Sequence, residues 1–353
     1  MSEVVRAALA AIVDGRTLSV EEARGAMGAV MDGEATASQL AAFLVALRMR
    51  GETIEELAGF AAAMRERVLR VTAPEGAIDV VGTGGDRSGT FNISTTAALV
   101  VAAAGVPVAK HGNRAITSRS GSADVLEALG VRTDHDAESA GAALAQNGFA
   151  FMFAPGFHPA MRHAGPTRRE IGIRTAFNLI GPLTNPAGVR RLVVGVGDAA
   201  AAPRIAAVLH LLDTERAFVV HGAGVDELPL DGSGVIHDVS LAGVTVRTVE
   251  PDDLGLRRAA TSELGGGTPV ENAALVEGVL RGTSGPRRDV VLLNAAAALH
   301  VAGRAGSLIE GVALAAGTID SGAPVALLER LRDEKASHDA LVQASVGAEG
   351  VRP

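Results

Sequence analysis

The chain has 353 residues, enough to bury a core in one large or two unequal domains. Its 40 acidic side chains outnumber 32 Lys and Arg for a net charge of −8, and Trp and Tyr are absent; a basic nucleic-acid surface with base-stacking rings is excluded. Cys is absent, which excludes disulfides and thiolate chemistry; no apolar run is long enough to span a bilayer, and with no secretory signal expected at Met1–Arg6 a cytoplasmic location is expected.

The first seventy residues are predicted to be helical, over about 3–13, 20–31, 37–50 and 54–70. Ser19-Val20-Glu21-Glu22 and Thr53-Ile54-Glu55-Glu56 have capping-box spacing, in which a hydroxyl and a Glu satisfy each other's orphan backbone donors. Gly33 and Gly51 stand where helices should stop. Leu40, Phe43, Leu44 and Leu47 form an apolar stripe suited to a bundle core or a subunit contact. This part is scaffold.

From Ile78 the pattern alternates. Strands are predicted over 77–82, 106–110, 149–153, 191–196 and 216–221, with helices near 92–104, 121–129, 136–146 and 199–212. That rhythm predicts an α/β domain with a mainly parallel sheet. Such sheets bind ligands beyond the carboxyl ends of their strands, so the loops after Val81, Lys110 and Val220 should converge. Past Pro269, Ala-rich helices are expected over roughly 269–281, 286–303, 307–320 and 323–346.

The most informative stretch is Asp79–Thr96. A β-branched strand (Ile78, Val80, Val81) runs into the turn Gly82-Thr83-Gly84-Gly85-Asp86, and after Ser88-Gly89 Asn92 can cap an apolar helix. Free N–H groups beside a helix N-terminus suit a phosphate, although an ordinary strand-to-helix turn also uses glycines. The spacing matches neither the dinucleotide fingerprint nor Walker A. A second segment, Lys110 to Ser122, offers cations and hydroxyls that suit a diphosphate, or a solvated loop. A third, Ala223 to Leu228, carries adjacent Asp226 and Glu227, which suit Mg²⁺ or merely an exposed turn.

In the segment His158–Glu170, Arg168 or Arg169 is placed for a substrate carboxylate, while His158 and His163 lack zinc-pair spacing. Gly181-Pro182-Leu183-Thr184-Asn185-Pro186 reads as a rigid turn, a pocket wall or hinge with no catalytic role. His111, beside the glycine loop, is a candidate general base or a substrate orienter. No Ser/His/Asp triad is apparent.

Taken together and in order, these segments resemble the anthranilate phosphoribosyltransferase family. The resemblance rests on Gly82 to Asp86, Asn92-Ile93-Ser94-Thr95, Lys110 to Arg114, Arg168-Arg169-Glu170, Gly181 to Pro186, Val225-Asp226-Glu227 and Val291-Leu292-Leu293-Asn294-Ala295-Ala296. It covers nearly the whole chain. It implies a small N-terminal helical domain, residues 1–72 joined by helices from about 165–190, and a large α/β domain of residues 73–164 and 191–353, in the nucleoside phosphorylase type of architecture. It also implies a homodimer formed through the helical domain.

The resemblance implies transfer of a phosphoribosyl group from phosphoribosyl diphosphate to the amine of anthranilate, with Mg²⁺ as cofactor. Contacts to the diphosphate sugar would come from Gly82, Gly85, Asp86 and Thr90, then from Asn92, Ile93, Ser94 and Thr95. Others would come from Lys110, His111, Gly112, Asn113, Arg114 and Ala115, and from Ile116, Thr117, Ser118 and Ser122. Anthranilate would meet Gly82, Asn113, His158 and Arg168; the metal would meet Ser94, Asp226 and Glu227. Phe157 departs from the His or Tyr common in the family before the residue matching His158. Two rivals are a pyrimidine nucleoside phosphorylase and a non-catalytic nucleic-acid-binding relative. Thymidine phosphorolysis would identify the first; the acidic charge and the retained arginine motif speak against the second.

Overall fold

The computed structural model describes residues 1–115 and 119–349. It opens with four helices, α1 (Glu3–Val13), α2 (Val20–Met31), α3 (Ala37–Arg50) and α4 (Ile54–Glu66). Both expected capping boxes form, at Ser19/Glu22 and Thr53/Glu56, and a third joins Thr36 to Gln39. Glu56 is fully buried: it caps α4, accepts from Leu18 N–H at 2.9 Å and pairs with Arg50. Helix α4 ends four residues earlier than the sequence suggested, and the Leu69 N–H beyond it donates to Phe157 C=O at 2.9 Å.

The α/β part follows as β1 (Ile78–Gly82), α5 (Ile93–Ala103), β2 (Val108–Gly112), α6 (Ser122–Ala128), α7 (Ala137–Asn147) and β3 (Phe149–Phe153). Three short helices, α8 (Ala154–Phe157), α9 (Gly165–Ile171) and α10 (Ala176–Ile180), lead to β4 (Arg191–Gly195), α11 (Ala202–Leu211) and β5 (Arg216–His221). An antiparallel hairpin, β6 (Gly234–Ser240) and β7 (Gly243–Val249), closes the sheet. Helices α12 (Pro269–Leu280), α13 (Pro286–Val301), α14 (Leu308–Asp320) and α15 (Ala323–Glu349) complete the chain.

The seven strands lie in the order β3-β2-β1-β4-β5-β6-β7, and the first five are parallel. The expected mainly parallel sheet is therefore present. The hairpin is an addition: β7 is exposed along most of its length and lacks a buried apolar face. The β-branched run Val244, Thr245, Val246, Thr248 and Val249 was its readable signal.

Each sheet face has its own core. Ala109, Leu192, Val194 and Val219 pack on a layer continuous with α1–α4 and α11. Val80, Val108, Phe151 and Val220 pack against α5, α6 and α12–α15. Helices α9 and α10, from the 165–190 stretch, pack against α3 and α4. Among the described residues no single helix is long and apolar enough to cross a membrane.

Candidate active site

Parallel strands β1, β4 and β5 run in register, with Gly82 opposite Gly195 and Gly195 opposite Val220. Their loops therefore leave one rim of the sheet together. Gly84 N–H donates to Asp226 Oδ2 at 2.7 Å, joining the loop after β1 to the loop after β5. Ser94 N–H, in the first turn of α5, donates to Glu227 Oε1 at 3.0 Å. Gly84, Gly85 and Gly89 all have positive φ, a region that glycine enters without strain.

Glu227 is buried and Asp226 half-buried beside it. Burial first, and then the neighbouring Asp86 charge, pushes Asp226 up to about 6. Burial, then Asp226, holds Glu227 well above the usual carboxylate range, against the opposing pull of Lys110. Lys110 sits in the middle of β2, its Nζ donating to Val80 C=O at 2.5 Å. Burial lowers its pKa, while Asp79, Glu227 and Asp226 raise it. Its ammonium is thus a counter-charge inside the rim rather than a free group on the loop.

Beside this rim lies a cavity of about 670 Å³. Its walls come from β1 (Val81, Gly82), the end of β2 (His111, Gly112, Asn113), the α8–α9 segment (Pro155, His158, Arg168) and the turn at Gly181, Pro182 and Thr184. The proline-rich turn is therefore a pocket wall. Arg168 is half-buried with its guanidinium 4.6 Å from the Phe177 ring centroid, and among the described residues it has no carboxylate partner. Burial lowers its pKa, so an incoming carboxylate would relieve a desolvated cation.

His111 and His158 lie with ring centroids 5.1 Å apart. Burial, then the neighbouring His158, pushes His111 down to about 3, and burial pushes His158 down to about 4. Hydrogen bonds to the backbone of Gly181 and Thr184 oppose those shifts. Both rings are neutral at pH 7. Each leaves Nε2 buried with no hydrogen-bond partner among the described residues. Two buried acceptors in a pocket wall suit a ligand that brings N–H groups.

The other expected residues divide. Gly85 and Asp86 lie in the glycine loop, and the Ser88 and Thr90 hydroxyls are 3.1 Å apart just beyond it. Asn92 stands at the N-cap of α5, but its side chain does not cap the helix as expected. It donates to Ser120 C=O at 3.2 Å and accepts from Asn272 at 2.8 Å. Ile93 and Thr95 are buried in the first turn of α5. Arg114 faces away, paired with Asp124 and Glu127, and the Ala115 N–H is taken by Asp124 at 2.9 Å. Gly112 and Ser122 lie in contact, a Cβ on Gly112 falling 2.3 Å from Ser122 Oγ. Ile116, Thr117 and Ser118 fall outside the described residues.

Sequence reasoning missed Asp79 and Asn185, which meet beneath the cavity at 2.7 Å. It also missed Arg174, whose Nη1 donates to Gly85 C=O at 3.3 Å. A charged residue inside a buried strand was the available signal for Asp79.

Among the described residues no three His, Cys, Asp or Glu stand grouped to hold a metal ion by themselves. The donor set does fit Mg²⁺, which takes one or two carboxylates and leaves positions for waters and substrate phosphates. A buried and a half-buried carboxyl, each pushed up by a neighbouring carboxylate and set beside a serine, are a place where a cation lowers the energy.

Residues 74–325 match the model of a glycosyl transferase family a/b domain, and residues 6–68 match the helical bundle domain of the same family. The anthranilate phosphoribosyltransferase of Thermomicrobium roseum is 52% identical over 349 residues, covering 97% of this chain and 99% of that one. The crystal structure of the Thermus thermophilus enzyme of that name superposes with a TM-score of 0.89 at 46% identity, covering 95% of this chain and all of the other. The Saccharomyces cerevisiae enzyme has been solved with PRPP and Mg (TM-score 0.87, 28% identity, covering 95% of this chain and 99% of that one). It has also been solved with 4-fluoroanthranilate (TM-score 0.85, 27% identity, covering 94% and 98%).

Proposed function

The chain belongs to the anthranilate phosphoribosyltransferase family, and we propose that it joins phosphoribosyl diphosphate to the amine of anthranilate, giving N-(5-phosphoribosyl)anthranilate and diphosphate in tryptophan biosynthesis. The observation that carries this reading is the meeting of Gly84, Ser94, Asp226 and Glu227 on one rim, beside a cavity that holds an arginine with no carboxylate partner among the described residues. That arginine favours a carboxylate-bearing acceptor over the thymidine of a pyrimidine phosphorylase, and the relatives described above carry the name of a transferase. We also infer a cytoplasmic homodimer made through the helical layer of residues 1–72 and its 165–190 helices.

The amine nitrogen attacks the ribose C1 as the C1–O bond to diphosphate breaks, so negative charge grows on the leaving oxygens, and the nitrogen then gives up one proton to water or to the departing diphosphate. Mg²⁺ supplies charge neutralisation for the diphosphate there. Ser94, Asp226 and Glu227 would hold it, and the Gly85 N–H donates to the phosphates. Arg168 fixes the anthranilate carboxylate with paired N–H groups. His111 and His158 stay neutral and accept the amine hydrogens, which aims the nitrogen lone pair at C1. With its pKa down near 3, His111 is a poor proton acceptor at pH 7 and serves as an orienter.

The test is loss of anthranilate fluorescence on adding phosphoribosyl diphosphate and Mg²⁺. Loss that needs all three components supports the reading; no loss, alongside active thymidine phosphorolysis, overturns it. Arg168→Ala should raise the KM for anthranilate on the order of 10- to 100-fold and leave that for phosphoribosyl diphosphate within a few-fold, since about 1.5–3 kcal/mol attaches to a charged hydrogen bond. Equal KM values in steady-state kinetics would remove the carboxylate role.

His111→Asn should lower kcat by a similar factor from pH 6 to 9, because a neutral imidazole has no ionisation there to lose. A vanished limb in the pH–rate profile would restore the base. The linked stability change has a definite sign. The folded pKa of His111 lies below the usual 6.5, so its contribution is present above 6.5 and is lost as pH falls towards 3. The Tm difference between wild type and His111→Asn should therefore shrink on acidification; a constant difference contradicts the burial argument.

A further inference from the structure

The sheet contains a seam. Strand β1 pairs with β4 over five residues, and β2 pairs with β3 over five, yet β1 and β2 are in register only at Ile78 and Val108. Beyond that pair, side chains occupy the positions of a backbone ladder. On one face Asp79 Oδ2 accepts from Asn185 Nδ2 at 2.7 Å, and Asp79 Oδ1 faces the His111 N–H at 3.4 Å. Asn185 Nδ2 also donates to Ala109 C=O at 2.8 Å, and its Oδ1 accepts from Ala187 N–H at 2.8 Å. On the other face Val80 C=O takes its hydrogen bond from Lys110 Nζ.

All three side chains are buried. Polar groups at such depth cost free energy unless fully satisfied, and an apolar pair would let the ladder continue. The divergence it leaves has a direct consequence for the cavity. Its walls at Val81 and Gly82 end β1, its walls at His111 and Gly112 end β2, and Thr184 belongs to the turn that carries Asn185.

We propose that Asp79 and Asn185 form a polar wedge that holds β1 and β2 apart and so fixes the spacing between the glycine loop, His111 and the proline-rich wall. They are positioning residues: neither lines the cavity, and both act through groups that do. The proposal rests on the function read from the site.

Asp79→Asn is isosteric, yet no flip satisfies it. With its amide nitrogen towards Asn185 two donors meet; with the oxygen there, the nitrogen faces the His111 N–H. Asp79→Asn and Asn185→Ala should each lower kcat/KM on the order of 100-fold, the loss that follows a displacement of about 1 Å at a reacting centre. Because the pair acts as one device, the double variant should be no slower than the slower single one. Leu192→Val, in the same core on the neighbouring strand, should lower Tm and keep wild-type kcat/KM. A crystal structure of Asp79→Asn should show a changed β1–β2 spacing.

Wild-type kinetics in Asp79→Asn, or fully additive losses in the double variant, would overturn the wedge. If Asp79→Asn does not fold, Asn185→Ala decides by the same criterion. A wild-type enzyme without turnover would overturn the functional reading instead, and the β1–β2 spacing would still judge the wedge.

Discussion

Changing Asp226 and Glu227 together to Ala should abolish magnesium-dependent turnover, a loss of at least about 10³-fold in kcat/KM, while the protein stays folded. The size follows from what these side chains oppose. Removing a single preorganised stabiliser of developing charge typically costs about 10²–10³ in rate, and here both metal carboxylates go at once. Stability should move little. The Ser94 and Gly84 N–H groups lose acceptors, at about 1 kcal/mol each. Against that, a buried Glu227 and a half-buried Asp226, each pushed above its usual range by burial and a neighbouring carboxylate, are gone. Steady-state rates across a Mg²⁺ titration, with Tm alongside, provide the check. Full activity in the double variant would remove the metal assignment; lost activity with a collapsed Tm would make it a folding defect.

The second large effect is expected from Gly195→Ala, at a residue given no substrate contact above. Gly195 ends β4, where the loop after β5 crosses it. A Cβ at this position would fall 1.6 Å from Asp226 C=O. Carbon and oxygen need more than about 3 Å, so the loop must move by roughly 1.5 Å or more, taking Asp226 with it. Gly82 faces the carboxylate of the same residue, its own Cβ position lying 2.3 Å from Asp226 Oδ2. These glycines are therefore required by space, and neither has a positive φ. Activity should fall on the order of 100-fold, with Tm lower by several degrees. Gly317→Ala, in α14 with open space around it, is the matched control and should keep both. Equal behaviour of the two variants would show that the crossing at Gly195 does not set the site.

Much of this was legible in the sequence, for identifiable reasons. Capping boxes at Ser19 and Thr53 are local, so the sequence carries them in full, and both formed. Apolar runs bounded by glycine located all five parallel strands. The convergence of Gly84 with Asp226 followed from a rule about parallel sheets rather than from either segment alone. What stayed hidden depends on distant partners. Asn92 matches an N-cap by type and position, but Asn272, in α12, takes its side chain away. Arg114 looks like a phosphate ligand until α6 supplies Asp124 and Glu127. Lys110 reads as a loop cation, and only the close approach of Val80 and the two carboxylates makes it internal. The Asp79–Asn185 contact spans residues too far apart for any local pattern to join.

Diffraction from crystals soaked with Mn²⁺ and phosphoribosyl diphosphate tests whether these loops form one binding site. An anomalous peak should lie beside the carboxylates of Asp226 and Glu227, with diphosphate density reaching the Gly85 N–H of the glycine loop. Metal bound elsewhere, or diphosphate density away from the glycine loop, would contradict it.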